Sequence, residues 1–302
     1  MNAKSPLTNG ENVTLLKSFS REKVVEDWKQ SFDIDISSEL ESCSEFYLYR
    51  CNDTGLRFFY PKKVTGSALL YEKLMNFDWY YMSDKWEYKL ALRDLRNRKK
   101  ILEIGCGHGH FVCSATENGF QIEGIDSNEK AVADAQKKGL NVYLLSAQDL
   151  LSKGEPLYDC LCSFQVLEHL ANPMSFLLTC MDLLTANGLL LLSVPNINSF
   201  LKYEDNLLDM PPHHMSQWSI HSFRSLEKIL PIKVEAFSFE PLAEYHIPGY
   251  LQAKRNQFRA ILSWLPSLLS DSILERYEKA LRQGLNKHTR GQSLYIKFRK
   301  KR

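Results

Sequence analysis

Long apolar runs are missing from this sequence. The longest, residues 188–192, falls far short of the ~20 apolar residues that a bilayer-spanning helix needs, so no membrane span is expected. It suits a buried strand instead. An excess of charge of one sign is missing as well: 38 Lys and Arg stand against 36 Asp and Glu, for a net charge of +2. That removes any global electrostatic case for nucleic-acid binding. The one basic cluster, residues 297–302, is read as a solvated end. Residues 1–10 are polar and hold no apolar signal region, so a cytoplasmic location is expected. No CxxC pair occurs among the seven cysteines, Cys43, Cys51, Cys106, Cys113, Cys160, Cys162 and Cys180. An odd number scattered through apolar stretches fits reduced core thiols better than a disulfide framework or a zinc knuckle.

What is present is ordinary globular composition, 44% hydrophobic and 25% charged. It suffices for one large domain, or one domain with an appendage. Residues 1–97 are aromatic-rich and are expected to form a cap or lid. Within them, 13–32 is expected to be helical, with Val24, Val25 and Trp28 at helical spacing. Residues 46–60 alternate like a hairpin turning at 52–55, and 69–95 again suggests a helix.

From Lys100 strands and helices alternate. Strands are expected at 101–104, 121–126, 141–147, 158–164 and 189–194, and helices at 111–117, 129–138 and 175–184. Such alternation implies right-handed βαβ units and an α/β fold, a Rossmann-like doubly wound sheet. A helix at 221–230, a strand at 233–239, an amphipathic helical stretch at 251–285 broken at Pro266, and a last strand at 293–298 complete the pattern. The second domain is thus placed at 98–302, with a helical insertion at about 245–290.

The sharpest chemical signal is Leu102-Glu103-Ile104-Gly105-Cys106-Gly107-His108-Gly109 at a strand-to-helix turn. Glycine permits a tight turn and close approach of a ligand because no Cβ intrudes. Doubly wound sheets bind ligands beyond the carboxyl ends of their strands. Glu103 precedes the loop and Asp126 ends the next strand, where a carboxylate can accept from both hydroxyls of a ribose. Asp126 also suits a helix-capping turn before Glu129. A nicotinamide-binding loop would spell GxGxxG, and its last glycine falls here at His110.

With these residues the chain resembles the class I S-adenosylmethionine-dependent methyltransferases. It is most similar in motif to the small-molecule O-methyltransferases of ubiquinone biosynthesis. The likeness covers residues 100–194 and the final strand. It rests on Leu-Glu-Ile-Gly-Cys-Gly at 102–107, Val-Leu-Glu-His-Leu-Ala-Asn-Pro at 166–173 and Gly-Gln-Ser-Leu-Tyr at 291–295. The resemblance implies a seven-stranded sheet with an antiparallel last strand and S-adenosyl-L-methionine as cofactor. It implies that Gly105, Gly107 and Gly109 pass under the methionine part, that Glu103 orients the amino end, and that Asp126, with Ser127 beside it, holds the ribose. Ala147 and Gln148 would flank the adenine, and Phe164 and Gln165 would line the methionine side. Relatives often carry an acid where Ser146 stands.

Methyl transfer is a displacement in which the protein mainly aligns the nucleophile and excludes water. For a hydroxyl acceptor a histidine is the natural base near neutral pH. The candidates are His169, beyond a strand end, and His213 and His214 in Met-Pro-Pro-His-His-Met at 210–215. No spacing demands a metal. A divalent ion on Glu168 and His169 with a later histidine is the alternative to base catalysis. Tyr80, Tyr81 and Trp218 are expected to touch the acceptor. The apolar face of 258–269 is expected to pack on its own core. The expected function is methylation of a small molecule, most simply at a hydroxyl of a sugar, phenol or specialised metabolite, by a monomer or homodimer. A non-catalytic scaffold that keeps the cofactor fold, a nicotinamide-dependent oxidoreductase and a nucleic-acid methyltransferase are the other readings.

Overall fold

The computed structural model describes residues 3–77, 79–154, 157–203, 205–261 and 271–302. The N-terminal region starts with strand β1 (Val13–Ser20), helix α1 (Arg21–Phe32) and strands β2 (Glu45–Cys51) and β3 (Arg57–Tyr60). Helices α2 (Ala68–Leu74) and α3 (Trp86–Asp94) follow. The expected helix over 13–32 is corrected: its first part is strand. Val13 to Ser20 give their backbone groups to β2, from Val13 opposite Cys51 to Ser20 opposite Glu45, and the helix starts only where that pairing stops. The expected hairpin is present, with Tyr47 opposite Tyr60. The expected helix over 69–95 is two helices.

The second region alternates as expected: β4 (Ile101–Ile104), α4 (His110–Glu117), β5 (Ile122–Asp126), α5 (Glu129–Lys137), β6 (Val142–Leu144), α6 (Ala147–Ser152), β7 (Tyr158–Phe164), α7 (Pro173–Leu183) and β8 (Leu184–Pro195). The strand expected over 141–147 is cut short. The Ser146 side chain accepts from the Asp149 amide while Asp149 reaches back to the Ser146 amide, a capping box that starts α6. Then come β9 (Ser216–Gln217), α8 (Ile220–Ser225), β10 (Ile232–Pro241), α9 (Ile247–Ile261), α10 (Asp271–Arg282) and β11 (Arg290–Lys300). The break expected at Pro266, and most of the apolar face at 258–269, lie outside the described residues.

Seven strands form one sheet in the order β10-β11-β8-β7-β4-β5-β6. The five strands from β8 to β6 are parallel, and β11 runs antiparallel to both of its neighbours. This is the expected doubly wound sheet with an antiparallel last strand. Its central strands are apolar on both faces because helices cover both. Leu102, Leu161, Leu190 and Leu192 pack on one face. Ile101, Cys160, Leu189 and Leu191 pack on the other. All seven cysteines are free thiols, and among the described residues no helix is long and apolar enough to cross a membrane.

A second, four-stranded sheet has the order β1-β2-β3-β9. Its last strand comes from residues 216–217, long after the others in sequence. Met210 and Met215 join the core of the N-terminal region around Trp28 and Phe46. The segment that follows β8 is therefore held by the N-terminal region, and this sets the position of His213 and His214.

Candidate active site

Four parallel strands, β4, β5, β7 and β8, end at one edge of the large sheet. A cavity of about 1240 Å³ opens there. On one side lies the turn after β4. The amides of Gly105 and Cys106 donate to the Ile125 carbonyl at 2.8 and 3.2 Å. Gly105 (φ +77°) and Gly107 (φ +51°) are left-handed, and a Cβ on them would stand 2.4 Å from Val166 Cγ2 and 2.7 Å from Tyr81 Cε1. Both positions thus require glycine for conformation and for space.

Glu103 stands one residue before the end of β4, beneath this turn, and is only 2% exposed. Its Oε2 has no hydrogen-bond partner. Burial holds its carboxyl well above the usual carboxylate range, with Lys85 pulling the other way. A buried acid that lines the cavity and keeps one oxygen unpartnered suits a cationic ligand group. Asp126 uses one oxygen to accept from the Gly107 amide at 2.7 Å and the other from the Asn128 amide at 2.8 Å. Asn128 in turn caps α5. Asp126 therefore tightens the turn and keeps lone pairs for a ligand. Ser127, Phe164 and Gln165 also line the cavity. Gln165 is left-handed at φ +57°, a conformation that costs a non-glycine residue about 1–2 kcal/mol. Its amide donates to the Ser193 carbonyl, and its side-chain amide lies 3.3 Å from Ser193 Oγ and 3.4 Å from Glu87 Oε1. These features fit the amino-acid and ribose parts of S-adenosylmethionine.

On the other side stand three histidines. The ring centroids of His169 and His213 are 4.6 Å apart, those of His169 and His214 are 4.7 Å apart, and His213 stacks on His214 at 4.4 Å. His169 Nδ1 donates to the His213 carbonyl and His213 Nδ1 to the Leu208 carbonyl, both at 2.8 Å. His214 Nδ1 lies 3.2 Å from Asp209 Oδ1. Burial pushes His169 down to about 3, and the facing His214 adds to this. Burial likewise holds His213 well below the usual histidine range. Such imidazoles are neutral at neutral pH and poor at storing a proton. The expectation of a histidine base is thereby revised for these two: their lone pairs suit hydrogen-bond acceptance or ligation better. Glu168, 1% exposed, has neither carboxylate oxygen partnered.

The expected site residues divide. Glu103, Gly105, Asp126, Ser127, Phe164, Gln165, Tyr80, Tyr81, His169, His213 and His214 all line one cavity. Gly107 lies just behind it, under Tyr81. Tyr81 thus covers the glycine turn, while Tyr80 meets His213 Nε2 at 3.3 Å. Gly109 is the N-cap of α4, where a Cβ would meet Leu140 at 2.8 Å. Three expectations are corrected. Trp218 is 0% exposed, stacks on Phe223 and donates to Ser216, so it is a core residue. Ala147 is packed in the core, and Gln148 accepts from Thr179; neither lines the cavity. Glu87 was missed. It is buried on α3 and accepts from Ser193 Oγ at 2.9 Å. A charge between Trp86, Tyr88 and Ala91 on an otherwise apolar helix face was its available signal.

The chain resembles known proteins over part of its length. Over 103 residues the chain is 33% identical to a ubiquinone biosynthesis O-methyltransferase of Caulobacter sp. (strain K31), covering 32% of this chain and 41% of that protein. A protein of the same description from Rickettsia prowazekii (strain Madrid E) is 34% identical over 104 residues, 33% of this chain and 41% of that one. The chain thus spans about two fifths of the length of these curated relatives. Among solved structures, a SAM dependent methyltransferase from Archaeoglobus fulgidus aligns at 18% identity and a TM-score of 0.46, over 78% of this chain and 100% of that one. Residues 79–230 match the family described as a methyltransferase domain. That is half of the 302 residues, and the chain therefore belongs to this family of S-adenosylmethionine-dependent methyltransferases.

Proposed function

We propose that the protein transfers a methyl group from S-adenosylmethionine to a hydroxyl of a small molecule. One observation carries this reading: a single cavity joins the Glu103–Asp126 turn to the histidine cluster. A donor held on one side would meet an acceptor held on the other. Glu103 takes the amino end of the donor through its spare oxygen. Asp126 and Ser127 take the ribose, and Phe164 and Gln165 lie along the methionine part. S-adenosylmethionine, when bound, supplies a methyl group on a sulfonium that is already a good leaving group.

The remaining task is alignment and exclusion of water. Neutral His169 and His213 offer lone pairs that orient an acceptor hydroxyl beside His214, and Tyr80 closes that side. Half-buried aromatic walls from Tyr71, Tyr80 and Tyr81 suit a flat or partly apolar acceptor. Near-balanced charge and the lack of a basic stripe favour a small molecule over nucleic acid. Calorimetric titration with S-adenosylhomocysteine tests the reading, with NAD(H) as control and Asp126→Ala in parallel. Micromolar binding that is lost in the variant and absent for NAD(H) is expected. Tight binding of NAD(H) instead would overturn it.

A further inference from the structure

We infer that His169, His213 and His214 form a binding site for a zinc-class first-row metal ion, with one coordination position open to the cavity. One ring nitrogen of each histidine lies within 4.8 Å of the other two. Three imidazoles on an ion with bonds of ~2.0–2.1 Å sit about 3.4 Å apart in tetrahedral geometry. The observed cluster reaches that spacing by a contraction of under about 1 Å per nitrogen, well within side-chain motion.

The hydrogen bonds around the cluster give an independent argument. A ligating histidine is normally fixed by donating its other ring N–H to a carbonyl or carboxylate. Here His169 and His213 do so to backbone carbonyls at 2.8 Å, and His214 faces Asp209 Oδ1 at 3.2 Å. All three Nδ1 atoms are thus engaged, which leaves the three Nε2 lone pairs. The Tyr80 hydroxyl touches one of them at 3.3 Å, a long bond that an ion replaces once the Tyr80 side chain turns aside. Charge points the same way. Glu168 is buried with both oxygens unpartnered, and so is Asp209 Oδ2. Buried carboxylates without partners are costly, and a dication beside them removes that cost.

The donor set selects the ion. Imidazole nitrogens suit zinc, cobalt, nickel or copper, whereas magnesium and calcium take oxygen ligands. Three protein ligands with an open fourth position are the pattern of catalytic rather than structural sites. The role of the ion rests on the proposed function; its binding does not. An acceptor hydroxyl on the open position would lose its proton near neutral pH, the proton leaving to water in the cavity. The oxygen lone pair then forms the O–C bond while the C–S bond breaks, and sulfur keeps the electron pair.

The test uses the full chain, stripped with chelator and titrated with Co2+, Zn2+ and Mg2+, with metal content read by mass spectrometry. One Co2+ per chain is expected, with the intense visible bands of four-coordinate cobalt, displaced by Zn2+ and not by Mg2+. His213→Gln combined with His214→Gln should weaken Co2+ binding by roughly 100-fold, and Asp209→Asn by roughly tenfold. S-adenosylhomocysteine titration of the same preparations reports folding and the cofactor half separately. No stoichiometric ion in the wild-type protein, or unchanged Co2+ affinity in a folded double variant, would overturn the site. Metal binding without S-adenosylhomocysteine binding would keep the site and sink the methyl-transfer reading.

Discussion

Glu103→Gln is the most direct probe of the cofactor half. In the free protein this carboxyl is buried, its Oε2 is unpartnered, and burial raises its pKa well above the usual range. A cationic amino group beside it favours the charged form and brings the pKa back down. Binding must then release a proton over the pH range between the two values. The sign follows: a group whose pKa is lower in the complex makes binding tighter as pH rises, by up to about tenfold per pH unit within that window. Glutamine keeps the shape and removes the charge. A hydrogen bond to a charged group contributes roughly 1.5–3 kcal/mol, so the variant should bind S-adenosylhomocysteine about 10- to 150-fold more weakly. Calorimetry in buffers of different ionisation enthalpy reads both effects. Wild-type protein should show proton release and a pH slope; Glu103→Gln should show neither. Equal affinity in the variant, or the same pH slope in both proteins, would refute the reasoning.

Two further outcomes separate packing from binding. Trp218→Phe should lower thermal stability by about 1–3 kcal/mol, as core substitutions do, with S-adenosylhomocysteine affinity within twofold of wild type; a selective loss of affinity would return Trp218 to the site. Ser146→Ala removes one half of a capping box and should cost about 1 kcal/mol, read in urea unfolding, again without weakening the ligand; strong weakening would mean that Ser146 reaches the cofactor.

How far the sequence could be read depended on whether the information was local. Glu103, the glycine turn and Asp126 sit within one βαβ unit, and the ends of two adjacent strands bring them together. Their spacing therefore marked out a turn that lines the cavity. Gln148 was misplaced for a local reason that the sequence also held: Ser146-Ala-Gln-Asp149 is a helix-start pattern, and it ends β6 early and turns Gln148 toward Thr179. Residues 13–20 carry little period-two signal because they form an exposed edge strand with Leu15 and Leu16 outward; only pairing with β2 makes them strand rather than helix. Non-local facts were out of reach. The meeting of His169 with His213 and His214 depends on β7 and β8 being parallel neighbours. The burial of Trp218 depends on distant residues such as Leu56, Val194 and Phe298 that share its core. Nothing in the local pattern of residues 207–217 announces that they complete a sheet begun 200 residues earlier.

That last dependence makes the two halves of the cavity separable in experiment. The Met215 amide donates to the Glu168 carbonyl at 2.7 Å, and the Phe59 amide donates to the Met215 carbonyl at 2.9 Å. The Met215 side chain is buried with Trp28, Phe46 and Met210. One residue thus ties the segment carrying His213 and His214 to both the N-terminal sheet and the turn that carries His169. Met215→Ala empties part of that core and should cost about 2–5 kcal/mol. The loss falls on the N-terminal sheet and the histidine segment, while Glu103, Gly105 and Asp126 keep their own hydrogen bonds. Thermal unfolding should therefore move down, and amide exchange at Met215 and Phe59 should quicken by the same free energy. S-adenosylhomocysteine affinity should stay within about twofold, the opposite of the Glu103→Gln pattern. If affinity fell in step with stability, the glycine turn would depend on the N-terminal region for its shape, and the division into a local cofactor half and a non-local acceptor half would be wrong.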